Sequence, residues 1–248
     1  MITEAALTIV EYLIRISPGL ILAAMVFLIV KPGKIARVGT YIFLFILFRD
    51  ALTPLGLWSF GSQGFFWIRL HSNPVFLVLF GVFSAVLMGS IIYLDRENKK
   101  YIVLFRNSKL VGILTGIAGA AVVVLPLGIV YRFVDIASRG GSVPFSLVLP
   151  ILVFALLGNF LEEGLFRGYV YGLLAERQKP IIAGISSGIV FAFCHILLAV
   201  TVTDIGYPLL AFALYEGIIA GIVGSKYGII PATLTHGGAI FLLSSGLL

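Results

Sequence analysis

The feature that most constrains this chain is a succession of apolar stretches at 6–30, 39–57, 75–94, 109–131, 145–170, 181–200, 208–224 and 228–247. Each is near the length, about 20 residues, that a helix needs to cross a hydrocarbon core of about 30 Å. Backbone N–H and C=O groups find no water in lipid, so these stretches must satisfy their hydrogen bonds internally, as helices. The expected fold is all-α, a polytopic membrane bundle of about eight transmembrane helices. Composition agrees: of 248 residues 60% are hydrophobic and 11% charged, against about 45–50% and about 25% in soluble domains. One continuous membrane domain is expected, with N-terminal helices over 1–144 that carry no recognised signature and a motif-bearing core over 145–248. Glu11 and Arg15 interrupt the first stretch, and no small-residue cleavage site precedes Lys31, so it reads as a retained helix rather than a cleavable signal.

The net charge of +6 could suggest nucleic acid, but the basic residues sit in short alternate loops: Lys31–Arg37, Leu94–Lys109, Glu176–Pro180 and Ser225–Tyr227. The intervening connections, near 60–73, 132–143 and 201–207, hold only Arg69, Arg132 and Arg139. That asymmetry orients a membrane protein and puts both termini on the non-cytoplasmic side; a nucleic-acid partner is excluded on the same ground. The second stretch is interrupted by Arg49 and Asp50 and followed by Pro54, which leaves an interfacial or re-entrant segment as its alternative. Glycines four residues apart, among them Gly184/Gly188 and Gly217/Gly221, form faces on which helix backbones approach closely. No internal repeat of the kind common in secondary transporters is visible. Cys194 is the single cysteine and excludes an internal disulfide.

The C-terminal half concentrates ionisable residues within apolar surroundings: Glu162, Glu163 and Arg167 in NFLEEGLFRG, His195 in VFAFCHI, Glu216 in LYEGI and His236 in THGGAIF. Each costs roughly 2.5–3.5 kcal/mol to insert, so each is a functional-site hypothesis until a partner accounts for it. Glu163 and Arg167 stand at i and i+4 with the acid first, the favourable order for an ion pair. Glu162 is turned about 100° away on the same helix and is expected to face a cavity. Phe191 lies one turn before His195, where its ring packs under the imidazole. Two histidines and an unpaired glutamate together offer a general base, a proton carrier and a hydrogen-bond donor. Cys194 adjoins His195 but faces another direction and reads as an inert thiol. Glu216 reads either as a partner of His236 or as a packing residue, Glu11 and Arg15 as a self-neutralised pair, and His71, with Phe65, Phe66 and Trp67, as part of an aromatic interfacial belt.

The run E-E-G-L-F-R at 162–167, then F-A-F-C-H at 191–195 and a glycine-adjacent histidine at 236, resembles the EExxxR, FxxxH and Hxxx(Asn/Asp) series of the CPBP family. That family comprises type II CAAX prenyl endopeptidases and bacterial relatives known as bacteriocin-processing or Abi proteins. The resemblance covers about 145–247. It implies an intramembrane endopeptidase (a hydrolase) in which Glu162 and His195 activate a water, His236 binds the scissile carbonyl or its oxyanion, and Glu163, Arg167, Phe191 and Glu216 support them. The substrate it implies is a membrane-associated peptide or protein, such as a CAAX-type tail, a leader or a sorting signal. It further implies a multi-pass protein of a prokaryotic cell membrane. Members have also been described as metalloproteases. No cofactor is expected, with zinc held by Glu162, His195 and His236 as the alternative. The third motif departs from the family pattern: Ile240 stands where Asn or Asp is usual. A catalytically impaired relative with an immunity or scaffold role is therefore one competing reading, and a proton-coupled transporter is another.

Overall fold

The structure is a computed structural model describing residues 2–61, 66–203 and 205–248, with side chains described from residue 6 onward; Phe65 of the expected aromatic belt lies outside the described residues. Among the described residues, eight rods form the bundle. Helix α1 (Ile2–Met25) winds on as a π-helical turn at Val26–Val30, and α2 (Lys34–Leu52), α3 (Pro74–Leu94) and α4 (Lys109–Tyr131) follow. The fifth rod comprises α5 (Phe145–Glu163), a π-helical segment at Gly164–Val170 and α6 (Tyr171–Ala175). Next come α7 (Pro180–Phe193) with a further π turn at Leu198–Val202, α8 (Tyr207–Tyr227) and α9 (Ile229–Ser244). Six of these rods are long and apolar enough to cross a membrane, and the outward faces carry exposed Ile21, Leu114, Leu125, Leu149 and Ile182. The protein is thus an all-α, multi-pass membrane bundle.

Three local expectations change. The second apolar stretch begins and ends earlier than its hydropathy indicates. It is a regular helix of 19 residues in which Arg49 and Asp50 are buried near the C-terminal end, because the two side chains pair with each other at 2.8 Å. The connection after it is no plain loop: β1 (Trp58–Gly61) and β2 (Trp67–Leu70) form an antiparallel hairpin with Trp58 opposite Leu70 and Gly61 opposite Trp67. Finally, the expected loop at Ser225–Tyr227 belongs to α8, and the chain reverses at Gly228 (φ +103°). A Cβ at Gly228 would meet the Leu104 carbonyl oxygen at 2.7 Å, so the tight reversal requires glycine. Helix α9, with 16 residues, falls short of a full crossing by the usual rise per residue and is the best-buried rod, packed on α4, α5 and α8.

Alternate loops gather at opposite ends, as the charge pattern demands. At the basic end Lys34 pairs with Glu176 at 2.7 Å, Arg37 with Asp95 at 3.0 Å, and Asn107 donates to the Lys226 carbonyl at 2.7 Å. At the other end Tyr131 donates to the Phe66 carbonyl and Arg69 to the Leu243 carbonyl, both at 2.8 Å, and Arg139 donates to the Leu248 carbonyl.

The tightest helix pair is α7 with α8, joined through the expected glycine faces. A Cβ at Gly184 would lie 2.5 Å from the Gly221 carbonyl oxygen, and one at Gly217 would lie 2.8 Å from that of Gly188. Direct backbone contact of this kind fixes the depth of the His195 segment relative to Glu216, which links a small-residue pattern to the site.

Candidate active site

Four rods carry the expected polar residues to one place. The fifth rod is helical from Phe145 to Ala175, so Glu162 and Glu163 lie within it rather than near its end. Glu163 is fully buried. Its Oε1 accepts from Arg167 Nη1 at 2.9 Å and from His236 Nδ1 at 2.8 Å. Arg167 Nη2 donates to the Gly217 carbonyl of α8 at 2.8 Å, and the guanidinium lies over the Phe191 ring at 4.7 Å. One arginine therefore ties α5 to α7 and α8. It stands inside the π-helical segment, a wider turn that often accompanies functional sites.

Phe191 is the hub of the aromatic packing. Its ring centre is 4.4 Å from that of His195 and 5.2 Å from that of His236. The expected stacking under His195 is present, and the same ring also sets the second histidine. His236 faces carboxylates through both nitrogens: Glu163 at Nδ1, and Glu216 Oε2 at 3.5 Å from Nε2. Glu216 is accordingly a neighbour of His236.

The break in α7 was not legible in sequence. The helix ends at Phe193, and Cys194 and His195 form a turn before helical winding resumes. His195 Nδ1 is 2.8 Å from the Phe191 carbonyl oxygen. A carbonyl only accepts, so Nδ1 carries the hydrogen, and in the neutral ring Nε2 presents its lone pair. The last carbonyls of a helix lack intrahelical partners, and here that of Cys194 accepts from Arg49 Nη2 at 2.7 Å.

The cluster opens onto a cleft. Glu162, His195, Glu216 and His236 reach it from the C-terminal half, together with Asn159 and Ile240. Glu162 is half-buried, and its Oε2 has no hydrogen-bond partner among the described residues, in keeping with its expected orientation toward a cavity. The apolar walls come from both halves: Tyr12 of α1, Phe45 and Phe48 of α2, Trp58 and Phe66 of the hairpin and Phe80 of α3 face Phe154, Leu209 and Phe212 of the C-terminal half. Arg49 also lines the cleft. Sequence reading took it for an interruption of the second stretch; its signal was the cost of a charge buried in an apolar run.

For zinc, the donor arrangement does not fit. Among the described residues no three His, Cys, Asp or Glu side chains converge as a metal-holding group, and His236 has both nitrogens directed at carboxylates.

Fold and cluster together define a multi-pass membrane protein whose buried acid–histidine centre opens onto an apolar cleft. Residues 144–242 match the family model described as type II CAAX prenyl endopeptidase Rce1-like. Among curated proteins and among solved structures, nothing matches the chain. The matched segment contains Glu162, Glu163, Arg167, His195, Glu216, His236 and Ile240.

Proposed function

We propose that this protein is an intramembrane endopeptidase that hydrolyses a peptide bond of a membrane-associated protein or peptide, using a water activated by Glu162 and His195. One observation carries the reading: the carboxylate with an unpartnered buried oxygen, Glu162, shares the cleft with a histidine whose Nε2 is an acceptor. A water between them donates to both. Glu162 takes one proton as the water oxygen attacks the scissile carbonyl carbon, and the C=O electron pair moves onto oxygen. Collapse of the tetrahedral intermediate breaks the C–N bond, and the proton held by Glu162 passes to the departing amine. His236 supplies a donor to the carbonyl once Nε2 exchanges its long contact with Glu216 for substrate. Glu163, Arg167 and Phe191 hold both histidines in place.

The walls suit an apolar, membrane-held segment such as a CAAX-type tail, a leader or a sorting signal. By charge distribution the basic end faces the cytoplasm, and the bacterial character of the processing proteins this chain resembles favours a prokaryotic cell membrane. The competing reading, a protein that keeps the fold without the chemistry, rests on Ile240, which lines the cleft where no hydrogen bond can be made.

The test is cleavage of a library of membrane-tethered peptides by purified protein in lipid. Glu162→Gln and His195→Ala are both expected to abolish cleavage, with no effect of a zinc chelator. Chelator sensitivity would overturn the metal-free chemistry. Failure of the wild type on the whole library, with cleavage appearing on Ile240→Asn, would establish the impaired relative instead.

A further inference from the structure

Among the described residues, every side-chain donor lining the cleft except one is committed within the protein. Tyr12 donates to the Phe48 carbonyl, Trp58 to Thr53, Ser84 to the Phe80 carbonyl and Asn159 to the Ala155 carbonyl. The histidines are engaged as described above. Arg49 is the exception. Its Nε donates to Asp50 Oδ1 at 2.8 Å and its Nη2 to the Cys194 carbonyl at 2.7 Å, while Nη1 is buried with no partner among the described residues. The residue is 5% exposed. A structural role as the cap of α7 accounts for two edges of the guanidinium and leaves the third unexplained. A buried charged donor without a partner is costly, and an anionic oxygen would satisfy it.

We infer that Arg49 is an oxyanion donor of the proposed hydrolysis, a catalytic residue contributed by the N-terminal half. The inference rests on the proposed function. Its position favours the reacting centre over a more distant anion. Arg49 is hydrogen-bonded to the residue adjoining His195, whereas a substrate C-terminal carboxylate three residues from the scissile bond would lie roughly 10 Å away along an extended chain. The planar fork, fixed at two edges, needs no reorganisation to present the third.

The experiment measures cleavage kinetics in lipid on the best substrate of the peptide library, made with a C-terminal carboxylate and with a carboxamide. Arg49→Gln retains a donor for the Cys194 carbonyl but removes the charge; Arg49→Gln/Asp50→Asn also removes the buried acid that the single variant would strand. Both are expected to lower kcat roughly 10²–10³-fold, as loss of one oxyanion donor does, with KM within about twofold and the same loss on both substrate forms. Thermal unfolding of the double variant near the wild-type temperature shows that the loss is not one of folding. Cleavage unchanged in the Arg49 variants but abolished in Glu162→Gln overturns this inference and leaves the proposed function standing. A loss expressed in KM, and only on the carboxylate form, overturns it in favour of carboxylate capture. No cleavage by the wild type overturns both proposals.

Discussion

Replacing Arg167 by methionine, of similar length, tests whether the Glu163 network is the structural keystone of the site. The side chain is 1% exposed and both members of the ion pair are inaccessible to water. Breaking a buried pair by removing one partner costs about 3–5 kcal/mol, because the remaining charge has no compensation. Here two further losses accompany it: the Gly217 carbonyl gives up its donor from Arg167, about 1–3 kcal/mol if left unsatisfied, and Phe191 gives up its cation. His236 still donates to Glu163, which offsets part of the damage, so the net expectation is about 3–5 kcal/mol. The assay is reversible unfolding in mixed micelles. Arg167→Lys keeps the charge but cannot fork between Glu163 and Gly217, and should lose less. The double variant Arg167→Met/Glu163→Gln should be less destabilised than the sum of its parts, because the stranded carboxylate is gone. A loss below about 1 kcal/mol for Arg167→Met, or strict additivity in the double variant, would refute the reasoning.

Three further outcomes are expected. Glu162→Gln should abolish cleavage while leaving the unfolding midpoint near that of the wild type, whereas Glu163→Gln should lower both; the comparison needs only the peptide assay and the micelle unfolding curve. Gly217→Ala places a methyl 2.8 Å from the Gly188 carbonyl oxygen and 3.0 Å from the Phe191 ring, and should destabilise by about 1–3 kcal/mol and slow cleavage by shifting Phe191, as unfolding and kinetics together would show. At the basic end, hydrogen bonds from Lys34, with Tyr101 and Lys100, hold the Glu176 carboxyl down from 4.5 to about 2. A depressed carboxylate stabilises fully above its unfolded value and loses that contribution as pH falls through the folded one, so the tether should weaken between about pH 4.5 and 2. Limited acid proteolysis of the 95–108 loop should rise more steeply across that window for the wild type than for Glu176→Gln.

Much of this was legible because lipid simplifies the problem: hydropathy alone finds the ends of α4 at 109 and 131. The i, i+4 relation of Glu163 to Arg167 and the stacking of Phe191 on His195 follow from helix geometry and are present. What escaped depends on tertiary partners. Nothing local marks the turn at Cys194 and His195, since it is stabilised by Arg49 from a helix 145 residues away in sequence. The hairpin at 58–70 was hidden by its aromatic content, which serves an interfacial belt and a strand equally well. The joining of Glu163 to His236 across 73 residues was likewise invisible, because the ion pair with Arg167 already explained the acid.

That last point bears on why two adjacent glutamates are needed. Each charge in the cluster has a neighbour of opposite kind: Arg167 and His236 for Glu163, His236 again for Glu216, Asp50 for Arg49. Glu162 stands outside these pairings, one residue from a carboxylate tied to both Arg167 and His236. The helical turn of about 100° between neighbours is what separates them, directing one acid into the packing and the other into the cleft. A base, the role proposed for Glu162, must be held to within a fraction of an ångström yet keep its lone pairs for water. Positioning it on the same turn as a residue tied to α9 through His236, and to α8 through Arg167, meets both demands: the backbone of Glu162 inherits the rigidity of Glu163, and its carboxylate remains uncommitted.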